Sequence, residues 1–246
     1  MPNRKVNPTK PRQADAVAYE RRLRAKVLNR IEQDFRENIS RVASIEQAYN
    51  LIDDASNIPD LNGLVEDEVA LFLTEVQGYH KERLIRSFNY ALGIDILPVM
   101  TDPPALKVLT NAAIENAKLI VTIPERYREG LKENITQAFF ERPFDRQHLK
   151  RILRDTHKSQ GYNLRRITRD QNNKLVGQLT EVRHGQLNIP SYEWGSIPDS
   201  RRRPTHKANS GNIFYWANPP EATGHPGNDI QCRCFAIPII PENFRI

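Results

Sequence analysis

Cys232 and Cys234 are the only cysteines of the chain, and one residue separates them. On an extended backbone, residues two apart share a face, so both thiols would be presented together while Arg233 points the other way. That spacing suits a disulfide poorly, because the bridge has a strict geometry. With His206 and His225 upstream, the pair could complete a Cys2His2 set, which zinc accepts tetrahedrally. The spacing is not that of a standard zinc finger. In the other reading both cysteines are small buried hydrophobes and both histidines bond loop backbone. Zinc, were it bound, would add folding energy to a small loop-rich segment.

A second group is built from charge. Asp199, Arg201 and Arg203 alternate along a segment expected to be extended. An arginine fork pairs with a carboxylate in fixed geometry, so internal partners are expected among Asp170, Asp229 and Asp199 itself. Such pairs would tie a strand to a long helix. Arg202, on the opposite face, and Lys207 are the candidates for phosphate contact along a nucleic acid. Trp194, Phe214, Tyr215 and Trp216 could stack bases, but aromatics in short strands are more often core. Gly211, Gly224 and Gly227 would supply turn backbone.

Catalysis needs a tighter constellation than the sequence offers. His206, Asn209, Asn218, His225 and Asp229 lie close together, and a metal-dependent nuclease could be built from such groups. There is no Gly-x-Ser-x-Gly, no His-Glu-x-x-His and no phosphate-binding glycine loop. The expectation is a protein that is not an enzyme, with no catalytic residues and no cofactor beyond the zinc the Cys/His set could hold.

The elements that would position these groups follow from apolar spacing. Gln13 to about Asn57 lacks Gly and Pro and reads as helical, closed by Pro59. Val65, Val69, Phe72, Val76 and Tyr79 recur at 4-3-4-3 spacing on one helical face, which Leu84, Phe88 and Leu92 extend to a stop at Gly93. That face could be core or a docking interface. Pro98 to Pro104 connects to a helix from Ala105 to about Ile123. Pro124 can open the next, since proline is tolerated at a first helical position. Tyr127, Leu131, Ile135 and Phe139 line that one. Arg146 to about His157 predicts a short helix, Gly161 a break, and Asn163 to about Leu187 a long polar helix. After Ile189 prolines punctuate short aromatic or β-branched runs at Tyr192–Trp194, Ile213–Trp216 and Cys232–Ile237, which read as strands with long loops. The expected architecture is α+β: a flexible basic arm over 1–12, a mainly helical region over 13–145, and a small α+β module with short strands over 146–246.

Composition sets the outer bounds. The chain has 246 residues, 39% hydrophobic and 27% charged, enough to bury a core. The net charge of +6 is uneven: from Arg146 onward there are 16 Lys or Arg against 8 Asp or Glu, a balance of +8, which leaves −2 before it. A basic region can meet a phosphate backbone or an acidic protein surface. No run approaches the roughly 20 apolar residues of a membrane span. Met1 to Arg12 is polar and has no apolar core of a secretory signal; its Arg4, Lys5, Lys10 and Arg12 could touch nucleic acid. Two cysteines so spaced fit synthesis in a reducing cytoplasm.

Taken in order, the C-terminal residues form a longer pattern. Arg169-Asp170-Gln171 is followed by Tyr192-x-Trp194, then by Asp199-x-Arg201-x-Arg203-Pro204-x-His206. Gly211 and Phe214, Pro219-Pro220, His225-Pro226-Gly227, Asp229 and Cys232-Arg233-Cys234 complete it. This ordered set closely resembles the signature of the Mu F-like phage head-morphogenesis proteins. The strong likeness covers about 70 residues and departs at Ser196-Ile197-Pro198, where family members often carry a Thr-Ser-type turn. The resemblance implies a minor head protein of a tailed bacteriophage, made in the host cytoplasm and located in the virion head. Its implied partners are the portal or major capsid protein. A DNA-contacting role in packaging or ejection is the alternative, and a nuclease comes behind both.

Overall fold

The computed structural model describes residues 6–140, 142–242 and 244. Eight α-helices are described: α1 Gln13–Leu23, α2 Asn29–Asn38, α3 Ile45–Ser56, α4 Leu61–Leu92, α5 Pro103–Ile120, α6 Ile123–Phe139, α7 Arg146–Gln186 and α8 Pro204–Asn209. Three strands, β1 Ser191–Gly195, β2 Ile213–Tyr215 and β3 Phe235–Pro238, form one sheet in the order β2-β1-β3. The α+β class expected from the sequence is what the chain adopts: mainly helical, with a small antiparallel sheet near the end.

The chain divides into two compact units that are not consecutive in sequence. A helical unit takes Ala16–Ala70 and Glu115–Thr168, and a sheet unit takes Met1–Asp15, Leu71–Ile114 and Arg169–Ile246. These units do not follow the boundary expected between residues 145 and 146. Helical segments before it belong to both units, because α4 supplies Leu84 and Phe88 to a core that also holds Leu187 and Ile189.

In the helical unit the 4-residue spacing of Tyr127, Leu131, Ile135 and Phe139 puts all four in the interior. The expected single helix from Gln13 to Asn57 is interrupted twice. Arg24–Leu28 forms a wide turn of π-helix, and the chain leaves helical geometry after Arg41. Ser44 then caps α3 by accepting from the Gln47 N–H at 3.2 Å, while the Gln47 side chain accepts from the Ala43 N–H at 2.8 Å. Gly161 does not break α7, contrary to expectation. A Cβ there would collide with the Arg24 guanidinium, which donates to the Gly161 carbonyl at 2.9 Å. The glycine makes room for a side chain; it does not end a helix.

In the sheet unit α4 ends as anticipated at Gly93, whose φ is +69° and whose N–H reaches the Asn89 carbonyl at 2.8 Å. Along α4 Val65, Val69, Phe72, Val76, Leu84 and Phe88 are all buried. The apolar face offered as a docking interface is thus core. Residues 6–12 are not a free arm. Val6 is buried beside Leu84 and Phe88, and the Asn7 backbone exchanges two hydrogen bonds with the Ser87 hydroxyl, at 2.7 and 3.0 Å. Lys10 lies over the Phe235 ring and Arg12 over that of Tyr79. Arg4 and Lys5 fall outside the described residues. Among the described residues no helix is long and apolar enough to cross a membrane.

β1 is the central strand, and four of its five residues are buried. Tyr192 and Trp194 are 0% and 1% exposed, packed with Ala236 and both cysteines. Gly195 stands opposite Phe235, whose ring fills the space a side chain would need. β3 begins one residue after Cys234, so the strand expected over Cys232–Ile237 starts later than foreseen. Asp199–Arg203 is not extended either. The Asp199 carboxylate accepts from the Arg201 N–H at 3.1 Å and bends the chain, and Pro204 then opens α8, a helix the sequence reading missed.

Candidate functional site

The pattern residues meet in the sheet unit. α7 brings Asp170, Gln171 and Asn173 to its buried side, while Arg169 stays exposed. Asp170 accepts from the Gln231 N–H at 2.6 Å and lies 3.3 Å from the Lys174 ammonium. Asn173 donates to the Cys232 carbonyl at 2.7 Å. Where the helix passes the Pro226-Gly227 turn, both sides are glycine. A Cβ on Gly177 would strike the Pro226 carbonyl, and one on Gly227, at φ +99°, would lie 2.8 Å from the Asn173 carbonyl. The loop after the two prolines can approach the helix only because neither position carries a side chain. Gly211, at φ +84°, donates to the Trp194 carbonyl and brings α8 round to β2.

Two arginine–carboxylate pairs fix the loops. Arg233 grips Asp199 with two bonds of 2.6 Å each, a fork-to-carboxylate geometry. It holds the Asp199 carboxyl well below the usual carboxylate range. Arg203 pairs with Asp229 and donates to the Ile230 carbonyl at 2.6 Å. Of the partners expected for Arg201 and Arg203, Asp229 is the firm one. Arg201 is exposed and reaches Asp199 only at 3.4 Å. Asp170 takes a backbone N–H and a lysine in place of an arginine. Arg202 is half-buried and donates to the Ser196 hydroxyl at 2.9 Å, whereas Lys207 is exposed.

The cysteines and His206 converge. His206 on α8 is 3% exposed, Cys232 3% and Cys234 6%. Their ligand atoms all lie within 4.8 Å of one another. His206 Nδ1 is 3.3 Å from Cys234 Sγ and 3.6 Å from Cys232 Sγ. Its Nε2 is 3.0 Å from Asp229 Oδ2. Burial alone would raise the Asp229 carboxyl, but the bonds and charges of His206 and Arg203 outweigh it and leave it lowered. An ionised carboxylate only accepts, so in the neutral ring the proton sits on Nε2 and the Nδ1 lone pair faces the sulfurs. Cys232 is pushed down to about 6, first by the bond from Cys234 and then by the Cys234 and Gly227 N–H groups and His206. Cys234 is pushed up by the same partner. Trp194 stands edge-on to the imidazole, ring centres 5.9 Å apart.

His225 is not part of this cluster. Its Nε2 lies 3.1 Å from the Trp216 carbonyl and its Nδ1 2.9 Å from the Tyr192 hydroxyl. A carbonyl can only accept, so Nε2 carries the proton and Nδ1 takes the tyrosine's. Both nitrogens are engaged in holding β1 to the aromatic cluster. Trp194, Phe214 and Trp216 pack on Tyr192 or one another, in keeping with the core reading, while Tyr215 is exposed.

Sequence reasoning missed a buried polar group in the same unit. Arg183, 1% exposed, donates to His80 Nδ1 and to the Gln77 carbonyl at 3.4 Å. His80 Nε2 meets the Thr180 hydroxyl at 2.8 Å, which donates to the Val176 carbonyl at 2.7 Å. Burial holds His80 well below the ordinary histidine value and brings His184 down to about 3. Thr180, Arg183 and His184 sit at helical spacing on the buried side of a helix that reads as polar, which is the only signal the sequence carried.

Fold and site together define an α+β module in which one long helix, a three-stranded sheet and proline-rich loops are pinned by arginine–carboxylate forks around a Cys/His cluster. Residues 129–237 match the family model described as Phage Mu protein F like protein, and this segment of the chain is similar to that family. The chain is also 34% identical over 155 residues to an uncharacterized protein of Haemophilus influenzae, an alignment that takes in 63% of this chain and 34% of the relative. The chain thus spans about a third of the length of that relative. No solved structure matches.

Proposed function

We propose that this protein acts in head morphogenesis of a tailed bacteriophage as a minor head protein. In this reading it associates with the portal or the capsid interior, and its surroundings are those of the virion head. One observation carries the reading: the residues shared with the Mu F-like signature are gathered in a single unit where most of them hold one another. Asp199 with Arg233, Arg203 with Asp229, Asp170 with the Gln231 backbone and Gly177 against Gly227 are contacts within that pattern or between it and α7. The groups spend their bonding capacity on the module itself, which suits an assembly component.

The test is genetic and compositional. Gradient-purified heads from a productive infection should contain the chain by mass spectrometry. A nonsense mutation in its reading frame should reduce the yield of complete heads and be rescued by supplying the protein in trans. Heads of full yield and normal protein content that lack the chain would overturn the proposal.

A further inference from the structure

We infer that His206, Cys232 and Cys234 form a zinc site, with Asp229 orienting the histidine and His225 taking no part. The inference stands apart from the head-assembly reading, since it rests on the donor set alone.

Three observations carry it. The first is convergence: one imidazole nitrogen and two sulfurs, from a helix and from a segment more than twenty residues later in the sequence, come within 4.8 Å of one another. Zinc–sulfur and zinc–nitrogen bonds are about 2.3 and 2.0–2.1 Å, so donors at this mutual separation can surround one ion with small adjustments. The second is protonation. Nδ1 faces the sulfurs as a lone pair because Nε2 is bound to Asp229. A carboxylate behind a ligating imidazole is the usual means of fixing its tautomer and orientation. The third is preparation of the sulfur. Cys232 Sγ lies 3.4 Å from the Gly227 N–H and 3.4 Å from the Cys234 N–H, two donors that stabilise a thiolate. Soft thiolates with an imidazole select zinc over magnesium or calcium.

Among the described residues these supply three ligands. Binding would release the thiol protons to solvent and staple α8 to the approach of β3. The site lies among buried side chains where α8 meets the segment leading into β3.

The experiment uses the full chain, produced with zinc in the medium, purified under reducing conditions and measured for metal by mass spectrometry. We expect stoichiometric zinc. After replacement by cobalt(II), intense visible bands of a tetrahedral thiolate complex should appear. Cys232→Ser, Cys234→Ser and His206→Ala should each lose the metal. His225→Ala should retain it, and Asp229→Asn should retain it with affinity lowered by about 10- to 100-fold. Should a cysteine variant fail to fold, the wild-type spectrum with the His225 and Asp229 variants still decides. Wild-type protein with both thiols reduced, no zinc and no tetrahedral cobalt spectrum would overturn the assignment. So would loss of zinc from a folded His225→Ala variant, or its retention in a folded double cysteine variant.

Discussion

Tyr192 gives its hydroxyl proton to His225 in a fully buried setting. Replacing it by phenylalanine keeps the ring in the core and leaves a buried nitrogen without its donor, which costs about 1–3 kcal/mol. The urea midpoint of Tyr192→Phe should fall accordingly, and an unchanged midpoint would contradict the role given to His225. His80 and His184 set a pH dependence with a definite sign. Both have folded values below the ordinary histidine value, and Arg183 faces His80 directly. Above an unfolded value of about 6.5 both are neutral in either state and their contribution to stability is complete. As pH falls below it, the unfolded chain takes up protons that the folded chain refuses. Stability should then drop by up to about 1.4 kcal/mol per pH unit for each group, a trend that runs down to about 3 for His184. Urea midpoints taken from about pH 7 down to about pH 5 should show the decline, and His184→Gln should flatten it. A midpoint constant over that range would exclude the buried neutral state. The sequence exposed the thiol pair and its histidine, because spacing and type are visible in one dimension. It could not tell His206 from His225, since the difference lies in which neighbour occupies the second ring nitrogen.

Among the elements, the helices were legible where apolar spacing was regular, as in α4 and α6, and the three strands where aromatics clustered. The missed features are those made by distant partners. Gly161 looks like a helix breaker until Arg24 is seen against it. Gly177 looks incidental until the Pro226 carbonyl is found over it. Asp199–Arg203 alternates like a strand, but a local carboxylate bond turns it. Glycines in α7 and α4 offer a paired test. Gly177→Ala pushes a methyl into fixed backbone and should destabilise by about 1–3 kcal/mol. Gly78→Ala, an exposed mid-helix site with nothing within 4 Å of the added carbon, should stabilise by about 0.5–1 kcal/mol. Thermal melts of the two variants should move in opposite directions. A common direction would mean that the approach of α7 to the Pro226 turn is not as described.

For the whole molecule, the family segment begins at residue 129 within α6 and ends in β3, so it takes residues from both compact units. The linear partition read from texture, helical first and α+β second, does not coincide with the units, because Leu71–Ile114 joins the sheet unit and Glu115–Thr168 the helical one. Val6 and the second half of α4 contribute to a core of the sheet unit that also holds Leu187 and Ile189. Of the basic residues after Arg146, Lys174, Arg203 and Arg233 are paired inside the module with Asp170, Asp229 and Asp199, carboxylates that the balance of +8 already counts. Assembly of this protein into heads is open to direct observation by electron microscopy of purified heads reconstructed without icosahedral symmetry. Side-chain density for this chain is expected at the portal vertex or on the inner capsid wall near it. A reconstruction of heads with their full protein set, in which that region is resolved and wholly assigned to other chains, would contradict it.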